Sequence, residues 1–232
     1  MRIFAIGDLH LSGNPPTKPM DIFDLAWHNH WQKIKTDWSE KVGESDVVLL
    51  AGDISWAMNI LEVKMDLEEL ITLPGRKIMI RGNHDYWWST VTKLNNTFAN
   101  KLEFLQNNFF QYENWAICGS RGWELPNEYY TEKDEQIFAR ELLRIENSLM
   151  QAEKIGLVNK ILLLHYPPLL KGQEVSEISK LCCKYNVKQC IYGHLHGEDA
   201  FKLAFEGELD GTNYQLVSAD YLDFKLKKIT AI

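Results

Sequence analysis

Two short motifs carry side chains suited to metal chemistry, Asp8-Leu9-His10 and His194-Leu195-His196. In extended backbone, side chains two residues apart leave on the same side. Asp53, Asn83, His84 and His165 follow further short apolar runs, and five of the seven histidines in the chain fall at such run ends. Glycine stands directly before Asp8, Asp53, Asn83 and His194, where it permits a sharp turn and close approach of the backbone to a bound group. Imidazole nitrogens with carboxylate and amide oxygens, and no thiolate, suit zinc, manganese or iron better than calcium or an iron–sulfur cluster. A set this large is too many ligands for one tetrahedral site with an open position. They suit two adjacent divalent ions sharing a carboxylate, an arrangement that activates water and clamps both oxygens of an in-line displacement at phosphorus.

The elements that must position these groups are readable from the apolar pattern. Ile3–Ile6, Val47–Ala51, Ile78–Arg81, Ile161–Leu164 and Cys190–Tyr192 are near-continuous apolar runs stopped by Gly or a polar residue. They predict strands covered on both faces. Helical spacing recurs in Trp27, Trp31, Ile34, Trp38 and Val42, in Ile60, Val63, Leu67, Leu70 and Ile71, and in Phe138, Leu142, Ile145, Leu149 and Ala152. Thr131 with Asp134 predicts a capping box for the third helix, and Gly156 its C-terminal end. This alternation predicts parallel β-α-β units. Short strands are expected within Leu102–Gly119 and at Ala200–Phe205, Gln215–Val217 and Phe224–Leu226. The expected architecture is α/β, two mixed sheets flanked by helices, in a single domain over residues 1–232. In open α/β sheets functional groups gather beyond the carboxyl ends of the strands.

The ordered blocks D-x-H (Asp8, His10), G-D (Asp53), G-N-H-D (Asn83, His84, Asp85), a lone His165 and G-H-x-H (His194, His196) resemble the calcineurin-like metallophosphoesterases. The resemblance spans residues 8–196 and implies that family's four-layer sandwich with a dimetal site at one edge. It implies that Asp8, His10 and His196 hold one ion, that Asn83, His165 and His194 hold the other, and that Asp53 bridges them. His84 corresponds to the catalytic histidine, which stabilises the transition state or protonates the leaving oxygen. A hydroxide shared by the two ions would attack phosphorus in line. Asp53 is followed by Ile54-Ser55-Trp56-Ala57-Met58, which lacks the second Asp and the Arg of the Ser/Thr protein phosphatases. It also departs from the G-D-x-x-D of the cyclic-nucleotide phosphodiesterase-like branch. The blocks around Lys18, Trp56 and Tyr86-Trp87-Trp88 look like a small bacterial branch of predicted phosphohydrolases. The alternative reading is a binding module that keeps the fold without catalysis. It predicts missing ligands, whereas all seven and His84 are present. An amidohydrolase would place its H-x-H pair on the first strand, where this chain has Asp8-x-His10.

Other residues carry weaker signals. Arg121, in a Gly-rich loop, is a candidate phosphate contact, and Trp56 and Tyr86 are candidates for a substrate wall. Asp85 is expected to cap a helix or support a neighbour, and the Trp27/Trp31/Trp38 stripe to be core. His28 and His30 are expected on a solvated helix face, as are the acidic runs at Asp66–Glu69 and Glu132–Glu135.

Composition narrows the setting. A chain of 232 residues with 25 Lys+Arg against 32 Asp+Glu carries net charge -7, which disfavours a nucleic-acid footprint spread over the surface. A small phosphorylated substrate is the expected partner, and the sequence carries no signal of oligomeric state. The N-terminal segment lacks a signal-peptide pattern, and no apolar run reaches the ~18–20 residues of a membrane span. Four cysteines without CxxC spacing are expected to be buried thiols in a reducing compartment, so a cytoplasmic protein is expected.

Overall fold

The structure, a computed structural model, describes residues 2–231. Eleven strands and six α-helices are formed among them. The first sheet contains β1 (Arg2–Ile6), β2 (Val47–Leu50), β3 (Arg76–Met79), β4 (Glu103–Phe104) and β11 (Lys227–Ala231). Its order is β11-β1-β2-β3-β4, with β11 antiparallel to β1 and the other pairs parallel. The second sheet runs β5-β6-β7-β8-β10-β9. It contains β5 (Phe109–Tyr112), β6 (Trp115–Gly119), β7 (Asn159–Leu163), β8 (Val187–Tyr192), β9 (Gly207–Leu209) and β10 (Thr212–Leu216).

Period-two alternation explains why these runs are apolar throughout. In the first sheet Ala5, Leu49 and Ile78 lie in register and face the second sheet, meeting Ile117, Ile161, Leu163, Ile191 and Val217 in one core layer. Their neighbours Ile6, Leu50 and Met79 point the other way, against α1 (His30–Lys41), α2 (Ile60–Thr72) and α3 (Val91–Thr97). Cys118, Leu162, Cys190 and Tyr192 pack likewise against α4 (Glu132–Lys154) and α5 (Glu177–Lys184). The result is the expected four-layer α/β sandwich, each buried Leu or Ile contributing about 1.5–3 kcal/mol. The sheets are tied together at one edge, where Gly7 N donates to Val217 O at 2.7 Å.

The capping box of α4 forms as expected, Thr131 accepting from Asp134 N while Asp134 accepts from Thr131 N. Several expectations are corrected, among them the burial of all four cysteines. Residues 200–205 begin in a short helix, α6 (Gly197–Phe201), and the last strand is β11, with Phe224 in a turn before it. His28 precedes α1, and His30 is half-buried, its ring nitrogens against Leu9 O at 2.9 Å and Trp27 O at 3.1 Å. Asp66 is buried, accepting from Ser55 Oγ at 2.6 Å and Gly13 N at 2.8 Å, which ties α2 to two site loops. Three cysteines are buried and Cys183 is exposed. No helix among the described residues is long and apolar enough to cross a membrane.

Candidate metal centre

The loops after β1, β2, β3, β7 and β8 meet at the edge where the two sheets are tied, and each delivers part of one cluster. The chain does not reach there in extended conformation. Asp8, His10, Asp53 and His194 all have positive φ, at 60°, 46°, 50° and 73°. Non-glycine residues in this region carry strain on the order of 1–3 kcal/mol each. The expectation that Asp8/His10 and His194/His196 leave extended backbone in pairs is therefore corrected: left-handed kinks aim these side chains. Gly82 and Gly193 serve by close approach. A Cβ on Gly82 would collide with the Asp53 carboxylate, and one on Gly193 with Asp8 Oδ2.

Two groupings result. Asp8, His10 and His196 form one, with His196 Nε2 3.4 Å from Asp8 Oδ1. In the other, His165 Nε2 lies 2.7 Å from Asn83 Oδ1 and 3.2 Å from His194 Nδ1. Asp53 Oδ2 lies between them, 3.8 Å from His10 Nε2 and 3.6 Å from His165 Nε2. Asp8 also approaches His165, at 3.8 Å, but only its Nδ1. That atom is 2.9 Å from Ala51 O and donates to it. Asp53 Oδ2 faces the Nε2 atoms of His10 and His165, while Asp8 groups with Asp53 and His165 as well as with His10 and His196.

The donor chemistry fits cations. With Nδ1 of His165 donating to Ala51, its Nε2 carries a lone pair and faces the lone pairs of Asn83 Oδ1, a repulsive meeting unless a positive charge lies there. His10 Nδ1 and His196 Nε2 are buried without a hydrogen-bond partner among the described residues, a costly state for polar atoms. Burial keeps His10 and His165 well disposed to neutrality, lowering both below the ordinary imidazole value. Burial and His165 together push His194 down to about 3. Burial opposes charge on Asp8, yet His196, His165 and His10 hold it below the usual carboxylate range. Burial and the Asp8 charge push Asp53 up to about 8. His196 is also opposed by burial, but the Asp8 and Asp220 carboxylates lift it to about 10. Neutral His10, His165 and His194, one ionised carboxylate and a second awaiting a counter-charge suit an incoming pair of divalent ions. His196, held charged by its two carboxylates, would give up its Nε2 proton on binding one of them.

His84 stands beside this cluster. Its N donates to Asp53 Oδ1 at 2.8 Å, and its ring lies 4.3 Å from Trp56 and 5.8 Å from His10. Trp56 also stacks on His10 at 4.9 Å, so it borders the site. Tyr86 is half exposed, edge-on to His84 at 6.2 Å. Trp87 and Trp88 are core residues. Tyr166 is buried, 4.3 Å from the His194 ring. Arg121 has its guanidinium 4.4 Å from the Trp123 ring and its carbonyl accepting from His165 N.

Asp85 caps no helix. It accepts from Gly82 N at 2.7 Å, Ile54 N at 2.9 Å, Ser55 N at 3.1 Å and Trp87 Nε1 at 2.9 Å, which locks the β2 and β3 loops together. Two participants lie outside the sequence reading. Asp220 sits 2.9 Å from His196 Nδ1, orienting that ring, a support common around metal-binding histidines. It follows β10, a parallel neighbour of β8, so the strand-end logic that found the others also reaches it. Trp27, expected as core, is buried and also packs edge-on to His10 and His196 at 5.9 and 5.8 Å.

Comparison with known proteins agrees with this fold. The family model described as calcineurin-like phosphoesterase matches residues 1–198. The chain belongs to that family, and its domain is that of a metal-dependent phosphoesterase. It is similar to a probable cyclic nucleotide phosphodiesterase of Coxiella burnetii, 27% identical over 215 residues, covering 85% of this chain and 77% of that one. It is also similar to the Gene 66 protein of Mycobacterium phage D29, 30% identical over 106 residues. That match covers 44% of this chain and only 51% of the phage protein. A crystal structure of a protein of unknown function from Aquifex aeolicus superposes with TM-score 0.51 at 15% identity. It covers 98% of this chain and 95% of its own, a likeness of fold.

Proposed function

We propose that this protein hydrolyses a phosphomonoester or phosphodiester of a small molecule, using two divalent ions of manganese, iron or zinc. The observation that supports this most strongly is the convergence of seven nitrogen and oxygen donors from five loops, with His84 beside them. When bound, such an ion pair supplies acidified water and neutralises charge on the non-bridging phosphate oxygens. Asp8, His10 and His196 would hold one ion, Asn83, His165 and His194 the other, and Asp53 both.

The remaining chemistry belongs to the chain. His84 is fixed at its backbone by Asp53 and at its ring by Trp56, so it needs little reorganisation on binding. Burial, then His165 and His196, lower it from the ordinary imidazole value, which makes its protonated form a stronger acid. Its Nδ1 is buried with no partner among the described residues. In this reading the ring holds or delivers a proton at the leaving oxygen. Trp56 and Tyr86 form the wall beside it, and a net charge of -7 favours small substrates over long nucleic acid. Four free cysteines fit a reducing, cytoplasmic setting.

The Coxiella burnetii relative, named a probable cyclic nucleotide phosphodiesterase, makes diesters worth testing beside monoesters. Protein loaded with Mn²⁺ is expected to release p-nitrophenol from p-nitrophenyl phosphate or its bis-ester, and chelation to stop it. Absence of turnover with manganese, iron and zinc alike would favour the catalytically silent binding module instead.

A further inference from the structure

A cavity of about 200 Å³ is lined chiefly by Arg81, Ser120, Arg121, Arg140, Glu141 and Arg144. Three elements build it. Arg81 directly precedes Gly82-Asn83 at the end of β3, Arg121 follows β6, and Arg140 and Arg144 share one face of α4 as an i,i+4 pair. Four guanidiniums around one small space repel each other unless an anion joins them. The carboxylate lining it does not balance them. Glu141 is buried and already accepts from Ser120 Oγ at 2.5 Å and Arg144 Nη1 at 2.6 Å. Among the described residues only Arg144 of the four arginines has an ion-pair partner. Arg81 Nε is buried with no hydrogen-bond partner among the described residues, an uncompensated donor that an oxyanion would satisfy.

The cavity is also joined to the metal centre by the backbone. Arg81 adjoins the loop that carries Asn83, and the Arg121 carbonyl accepts from His165 N at 3.0 Å. Planar guanidiniums with several fixed donors match phosphate oxygens in bidentate fashion. A space of this volume is below the ~300–1,000 Å³ of pockets for whole drug-sized ligands and suits one anionic group.

We propose that this cavity is a second-anion subsite, receiving a phosphate of the substrate other than the one hydrolysed. The favoured substrate class is then a compound bearing two phosphate groups, such as a nucleoside bisphosphate. This inference rests on the phosphoesterase reading and adds the substrate class to it.

Competition against p-nitrophenyl phosphate hydrolysis by the Mn²⁺-loaded protein tests it, because a competitor need not itself be cleaved. Adenosine 3′,5′-bisphosphate is expected to inhibit at least tenfold more tightly than adenosine 3′-phosphate. Arg81→Gln and Arg140→Gln are each expected to shrink that ratio severalfold, and together to bring it near one. Arg140 is exposed on α4, so its replacement leaves the core intact. Equal inhibition by the two nucleotides, or a ratio indifferent to both substitutions, would overturn the subsite. So would a gain of the same size from adenosine 3′-phosphate supplied with free inorganic phosphate, which would assign the cavity to the free ion. If neither p-nitrophenyl phosphate nor its bis-ester is hydrolysed with manganese, iron or zinc, the phosphoesterase reading fails separately. Calorimetric titration of the same nucleotides into the Mn²⁺-loaded protein then decides the subsite by the same ratio.

Discussion

His84→Ala is expected to lower kcat by about 10²–10⁴-fold, equivalent to roughly 3–5 kcal/mol of barrier, while leaving the metal content of the protein at the wild-type level. Both halves follow from placement. The His84 ring stands over Trp56 and beside His10, outside the convergence of Asn83, His165 and His194. Its tie to Asp53 runs through the backbone N–H, which alanine retains. Loss of metal together with activity would recast His84 as a ligand. Full activity with a full metal complement would remove it from the chemistry.

Asp53→Asn has a different expected signature, and its sign reverses with metal. Asp53 Oδ2 lies within reach of Nε2 of both His10 and His165, so the amide should deplete bound metal and abolish turnover. In the chelated protein the same change is expected to stabilise. Burial and the Asp8 charge push Asp53 up to about 8, whereas an unfolded chain titrates it near the ordinary value of 3.8. A carboxyl raised in the folded state contributes stability that is complete below the ordinary value and is lost as pH rises toward about 8. Chelated wild-type protein should therefore lose melting temperature from pH 5 to pH 8, with Asp53→Asn showing a flatter profile. Mn²⁺ should restore the wild type and not the variant. Parallel profiles for the two chelated proteins would show that Asp53 is not the strained carboxylate.

The core strands and most of the cluster are legible in the sequence because each donor directly follows an apolar run. Asp53 after Val47–Ala51, and Asn83-His84 after Ile78–Arg81, announce themselves locally. What is not local stays hidden. No spacing reveals that β7 and β8 belong to a second sheet whose edge is tied to the first through Gly7 and Val217. Asp220 lies 24 residues from the histidine it orients, and the four arginines of the cavity come from three separated segments. His30 departs from the expected solvated helix face because the helix does not begin at Trp27. Residues 25–27 form a 3₁₀ turn, and the left-handed Asn29 interrupts the chain before α1. Residues 200–205 show the ambiguity of short apolar runs, which fit a helix turn as well as a strand. Positive φ at Asp8, His10, Asp53 and His194 breaks local preference at the site itself, where strain is most often found.

The central claim is that two neighbouring ions share the Asp53 carboxylate. Anomalous diffraction from crystals of the Mn²⁺-loaded protein tests it most directly. Two manganese peaks per chain are predicted, on the order of 3.5–4 Å apart, both touching Asp53. One should also be ringed by Asp8, His10 and His196, the other by Asn83, His165 and His194. A single peak, or a pair that Asp53 does not join, would contradict the account.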